Sequence, residues 1–130
     1  LGSDFVWHIN VAPGVDREQV RVPSMFLQIL TENAIIHGLK GWDGHKELTI
    51  DVHREQRTTV ISVSDNGPGF NASNGTFKKK TGMGIISQTI AITNMHNKNK
   101  IRFEITNIEN NGTVCGCRAT LRVPDGVRFL

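Results

Sequence analysis

Two runs of clean alternation, Leu48-Thr49-Ile50-Asp51-Val52-His53 and Thr59-Val60-Ile61-Ser62-Val63-Ser64, restrict this chain more than any other feature. Apolar residues at every second position mark strands with one face toward a core. Glu55-Gln56-Arg57 between them closes a hairpin. Such a pair needs further strands and a covering layer. Phe5-Val6-Trp7-His8-Ile9-Asn10-Val11 reads as a first strand, ended by Ala12-Pro13-Gly14. Ile101 to Ile105 and Val114 to Val123 read as a last pair, turning at Glu109-Asn110-Asn111-Gly112. For the cover, Leu27, Leu30, Ala34 and Ile35 recur at helical spacing, which predicts a helix from about Ser24 to Leu39 behind Val22-Pro23. A second helix is expected from about Ile85 to His96, burying Ile85, Ile86, Ile90 and Ile92. The order is strand, helix, two strands, loop, helix, two strands, without internal repeats. It predicts one domain over residues 1–130: an α/β (α+β) two-layer sandwich whose sheet is mixed but mostly antiparallel, with the helices on one face.

Bulk composition removes several functions. Of the 130 residues 38% are hydrophobic and 21% charged, an ordinary globular balance. The net charge of +3 suits a small anionic ligand. No basic run is interleaved with aromatics and Tyr is absent, which argues against nucleic acid. No apolar run reaches membrane-spanning length, so no direct membrane contact is expected. The five histidines show no metal-ligand spacing. Cys115 and Cys117 lie two apart in an expected strand, which places both on one face in poor geometry for a disulfide. The chain begins without an obvious initiator and reads as a piece of something longer.

Candidate site residues fall in four places. On the first helix, Asn33 and His37 are four apart and share a face, with the Glu32 carboxylate next to the amide and Gly38 closing the run. The second alternating run leads straight into Asp65-Asn66-Gly67-Pro68-Gly69. These are ordinary turn dipeptides, but they sit at a strand end, where ligands approach open sheets. A carboxylate there suits an exocyclic amine such as that of adenine, and Gly67 and Gly69 let backbone pass close to a flat base. Residues from about 70 to 82 are rich in Asn, Ser, Gly, Thr and Lys and read as a mobile loop. Gly82-Met83-Gly84 then feeds a helix N-terminus, which suits phosphate, with Lys78, Lys79 and Lys80 just before it. Thr120, on the last strand, is a good β-former whose hydroxyl also suits the same crevice.

This order resembles the GHKL nucleotide-binding superfamily, which includes sensor histidine kinases, gyrase B, the heat-shock chaperone ATPase and MutL. Glu32-Asn33-Ala34-Ile35-Ile36-His37-Gly38 is similar to the family's N box, Asp65-Asn66-Gly67-Pro68-Gly69 to its G1 box, Gly82-Met83-Gly84-Ile85 to its G2 box, and Gly116 to Pro124 to its closing strand. The form Pro23-x-x-x-Leu27-Gln28-x-Leu30-x-Glu32-Asn33-Ala34 with His37-Gly38 is most similar to the LytS-type sensor histidine kinases. The resemblance implies a Bergerat-type ATP-binding fold with an ATP lid over about 70–82. It implies that Asn33 holds Mg²⁺, that Asp65 reads adenine, and that Gly67, Gly69, Lys80, Gly82, Met83, Gly84, Ile85 and Thr120 line the ATP site. Glu32, Asn33 and His37 are the implied catalytic set.

The implied reaction is transfer of the ATP γ-phosphoryl group to a His on the parent protein's own upstream dimerisation domain, with a response regulator as the next partner. The implied setting is the cytoplasmic part of an inner-membrane sensor. Ile29 stands where ATP-hydrolysing members carry a carboxylate, four before the metal-binding Asn, so hydrolysis should be slow. Two further readings share the boxes: an anti-sigma factor-type serine kinase, against which Ile29 also argues, and a non-catalytic nucleotide-binding interaction module.

Overall fold

The computed structural model describes residues 5–15, 22–39, 44–69 and 81–129. Strand β1 (Phe5–Val11) is followed by helix α1 (Ser24–Asn33), which passes into a π-helical turn at Ala34–Leu39. Strands β2 (Lys46–Glu55) and β3 (Thr58–Asp65) come next, then helix α2 (Thr81–Met95) and strands β4 (Arg102–Asn110) and β5 (Thr113–Pro124). The strands form one sheet in the order β1-β2-β3-β5-β4, with β1 parallel to β2 and every other pair antiparallel. The expected architecture stands, with its antiparallel majority and one parallel exception.

Local chemistry sets the turns. Gln56 (φ 56°) and Arg57 join β2 to β3, and Asn111 (φ 54°) with Gly112 (φ 80°) joins β4 to β5. At Asn111-Gly112 two successive left-handed residues fit the right-handed twist of a hairpin, and Asn-Gly adopts them at low cost, whereas in the first turn Gln56 alone is left-handed. Pro23 precedes α1 with φ −53°, and the Phe26 N–H bonds its carbonyl at 3.0 Å. The expected single helix from Ser24 to Leu39 is instead α-helical only to Asn33, after which the ladder widens.

One face of the sheet carries the core. Leu48 and Ile50 of β2, Val63 of β3, and Ala119, Leu121 and Val123 of β5 pack with Phe26, Leu30, Ala34 and Leu39 and with Ile86 of α2. Both helices therefore lie on that face. Among the described residues the cover thins along β1, where Phe5 still packs on the core but Trp7 and Ile9 are 60% and 55% exposed. The other face is open and polar: Ser62, Thr106, Thr120, Arg118 and Arg122 line a shallow trough of about 620 Å³. There the Arg122 guanidinium donates to Glu104 at 2.7 Å and Arg118 Nε to the Ser64 hydroxyl at 3.1 Å. Among the described residues no helix is long and apolar enough to cross a membrane.

Candidate functional site

The alternation of β3 carries past its last serine to Asp65, which is buried at 6% exposure on the helix-covered side, paired across the sheet with Leu48 of β2 and Cys117 of β5. Burying a carboxylate costs free energy in its charged form, and this desolvation pushes the Asp65 carboxyl above its ordinary value. Hydrogen bonds from the Gly67 and Cys117 backbone N–H groups pull the other way without cancelling it. The Gly67 bond to Oδ1 measures 3.0 Å. An ionised carboxylate offers about four lone-pair directions, so two N–H partners leave room for a donor from a ligand. The Cys117 thiol, buried beside this carboxylate, is pushed up to about 12, chiefly by desolvation and further by the Asp65 charge. It stays protonated.

The turn after Asp65 is pinned from two sides. Toward β2, the Asn66 amide donates to the His45 carbonyl at 2.8 Å, its oxygen accepts from the Glu47 N–H at 2.7 Å, and its own N–H bonds the Glu47 carbonyl at 3.2 Å. Toward β5, Gly116 passes so close that a Cβ there would overlap the Asp65 carbonyl oxygen. Only glycine fits that approach.

Asn33 stands at the last α-helical position of α1, where its side-chain N–H donates to the Ile29 carbonyl at 2.9 Å. Because a carbonyl can only accept, this bond fixes which end of the amide is nitrogen and leaves the oxygen as the group to meet a cation. The π turn that follows packs against β3, β2 and β5. Among the described residues no group of three or more His, Cys, Asp or Glu gathers as a metal cage. Mg²⁺ keeps several waters and takes few protein oxygens beside substrate phosphates, so a neutral amide oxygen is chemically compatible with that ion though weaker than the usual carboxylate.

Comparison with known proteins joins these features. No family model matches the chain. The sensor protein LytS of Staphylococcus saprophyticus is 44% identical over 63 residues, which is 47% of this chain and 11% of that protein. LytS of Streptococcus agalactiae serotype V is 24% identical over 116 residues, 85% of this chain and 19% of its own length. The chain thus spans a fifth or less of these curated relatives. Its fold superposes on the histidine kinase domain of the Erythrobacter litoralis EL346 blue-light activated histidine kinase with a TM-score of 0.69 at 12% identity, over 95% of this chain and 52% of that one. The histidine kinase ThkA, solved in complex with the response regulator protein TrrA, superposes at 0.60 with 15% identity, over 94% of this chain and 34% of its own. The chain is thus similar in sequence to LytS sensor proteins and has the fold of histidine kinase catalytic domains.

Within this fold, some sequence-read residues move. Thr120 does not join Asp65. It is three positions from Cys117 on β5, so it faces the opposite side, pairs with Ser62 and Glu104, and lines the open trough. The β5 residue beside the carboxylate is Cys117. Gly82-Met83-Gly84 does not precede the second helix but lies in its first turn, since α2 begins at Thr81. The first-turn N–H groups lack intrahelical partners wherever the helix starts, so the argument for an anion carries over to these residues. Ile85 is 47% exposed. Glu32 is exposed and accepts from Gln28 Nε2 at 3.1 Å. The side chains of His37, Gly82 and Met83, all of Lys78, Lys79 and Lys80, and positions 70 to 80 of the lid expected over about 70–82 lie outside the described residues. Cys115 and Cys117 do not share a face: the register slips between Ile108 and Glu109, so Cys115 lines a hollow on the open side with Thr49 and Arg118. Asn66 and Gly116 were legible only as turn and strand residues, and Cys117 carried no sequence signal for its place beside Asp65.

Proposed function

We propose that this chain is the ATP-binding catalytic domain of a two-component sensor histidine kinase, transferring the γ-phosphoryl group of ATP to a His on a separate dimerisation domain. The observation that supports it is the buried Asp65 carboxylate at the end of β3, held by two backbone N–H groups with acceptor capacity left over. That capacity suits the exocyclic amine of adenine. Gly67 and Gly69 line the same base site. Phosphates fall to the first turn of α2, at Gly82, Met83, Gly84 and Ile85, with Lys80 adding charge. Asn33 holds Mg²⁺ through its amide oxygen, and the bound ion neutralises phosphate charge. Glu32 and His37 flank Asn33 and assist transfer. Phosphoryl transfer depends mainly on position and charge neutralisation, so a site with few reactive groups is adequate. The partners are the parent's upstream phosphoacceptor domain and a response regulator, the kind of protein ThkA is solved with. The domain acts on the cytoplasmic side of a membrane sensor.

The test is calorimetric titration of ATP and GTP into the wild-type chain and Asp65→Asn. Losing a charge-assisted hydrogen bond costs about 1.5–3 kcal/mol, so ATP affinity should fall about ten- to a hundredfold, with GTP weak on both. Equal ATP curves for the two proteins would refute the base assignment.

A further inference from the structure

The Asp65 turn is held at its far end as well as its near one. Gly69, where the turn leaves, has φ +81°, and a Cβ built there would stand 2.5 Å from Val114 Cγ1 and 2.7 Å from Asn107 Oδ1. The space a side chain would take is filled by the β4–β5 hairpin. Asn107 is not placed at random in that hairpin. It pairs with Cys117, which pairs with Asp65, so the three stand in one row across β4, β5 and β3 on the helix-covered face. Just beyond Asn107 the β4–β5 ladder slips between Ile108 and Glu109, and such bulges re-aim neighbouring side chains.

We infer that Asn107 is a positioning residue for base recognition: its carboxamide, wedged against Gly69, fixes the exit of the turn and through it the direction of the Asp65 carboxylate. Gly67 is the middle of this lever. Its N–H bonds Asp65 Oδ1, and it lies two residues from the point Asn107 holds. If Gly69 slides into the space of a trimmed Asn107, the Gly67 N–H leaves the carboxylate oxygen. The carboxylate then turns, and a ligand amine that relied on its direction loses its partner. A neutral amide suits the place, because an acid there would add a like charge to the row that holds Asp65.

This inference deepens the nucleotide reading and rests on it. The experiment titrates ATP and purine riboside triphosphate, the same molecule without the exocyclic amine, into the wild-type chain and Asn107→Ala. Wild type should prefer ATP by about tenfold or more, the worth of one charge-assisted hydrogen bond. Asn107→Ala should lose most of that preference, with ATP weakened about tenfold and the amine-free analogue changed less than about threefold. A variant that keeps the wild-type preference, or weakens both ligands by one factor, would show that Asn107 does no more than support the fold, and the inference would fall. Asn107→Ser, which trims the wedge and keeps a polar group, carries the same comparison if the alanine variant does not fold. A wild type with no preference for ATP would refute the nucleotide reading itself, a result separate from any behaviour of Asn107.

Discussion

Gly116→Ala is the substitution that most directly tests how the site is built. Its Cβ would overlap the Asp65 carbonyl oxygen and lie 3.1 and 3.2 Å from the Asp65 carbonyl carbon and Asn66 Cα. All three are backbone atoms at the end of the β3–β5 ladder, so no side chain can rotate away. The strands must part locally, and overpacking of this kind costs about 3 kcal/mol at the upper end of its usual range. At roughly 2.1 cal/mol/K per residue of unfolding entropy, a chain of this length loses about 4 °C of melting temperature per kcal/mol, hence about 11 °C. Gly112→Ala is the matched control. It has φ +80° but nothing within 4 Å of its Cβ, so it pays only for the left-handed backbone, about 1 kcal/mol and about 4 °C. Calorimetric melts of the three proteins make the comparison. The larger loss at Gly116 should come with weaker ATP binding, because the Cys117 N–H that bonds Asp65 moves with its neighbour. A Gly116→Ala protein that melts no lower than Gly112→Ala would mean that β3 and β5 are not in this close contact, and the account of the carboxylate's surroundings would fail with it.

Asn33→Ala should weaken binding of Mg·ATP while leaving metal-free ATP binding, measured in EDTA, nearly unchanged; an equal loss in both conditions would make Asn33 a structural residue. The pH dependence of folding should carry the mark of Asp65. Its carboxyl is raised on folding, so the native state holds that proton more tightly, and the stabilisation is complete below the ordinary carboxyl value and lost as pH rises through the raised one. The stability difference between wild type and Asp65→Asn should therefore drift in favour of the asparagine protein from about pH 4 toward neutrality, and a difference flat across that span would contradict a desolvated carboxylate.

Element identity and order were legible in the sequence because alternation and helical spacing are direct images of which side chains meet the core. Strands at 48–53 and 59–64 grew only by a residue or a few at each end, and Asp65-x-Gly-x-Gly sits at the strand end its position suggested. What failed was parity. A strand's pattern says that alternate residues share a face, but not which of Cys117 and Thr120 faces Asp65; that depends on register between strands fifty residues apart, and an odd offset sends a side chain to the other side. The bulge at Ile108/Glu109 defeated the same rule for Cys115 and Cys117, since one unpaired residue reverses the alternation. The helix boundaries failed for a different reason. Gly82 and Gly84 read as a turn leading into the helix, yet glycine in the first helical turn costs little where the backbone bonds are incomplete anyway. The widening to a π turn at Ala34 has no residue signature in Ala-Ile-Ile-His-Gly-Leu.

The two rims of the sheet differ in a way that bears on what can lie alongside this molecule. β4 presents Arg102, Glu104 and Glu109, charges that any added strand would have to strip of water. β1 carries no Lys, Arg, Asp, Glu or Pro, and Val6, Trp7 and Ile9 stand exposed along it. Its outer row of backbone donors and acceptors therefore borders bare apolar surface. Among the described residues one rim repels intruding strands and the other has no such guard, so unplanned β-pairing, when the chain is concentrated or partly unfolded, has a preferred direction: it grows from β1.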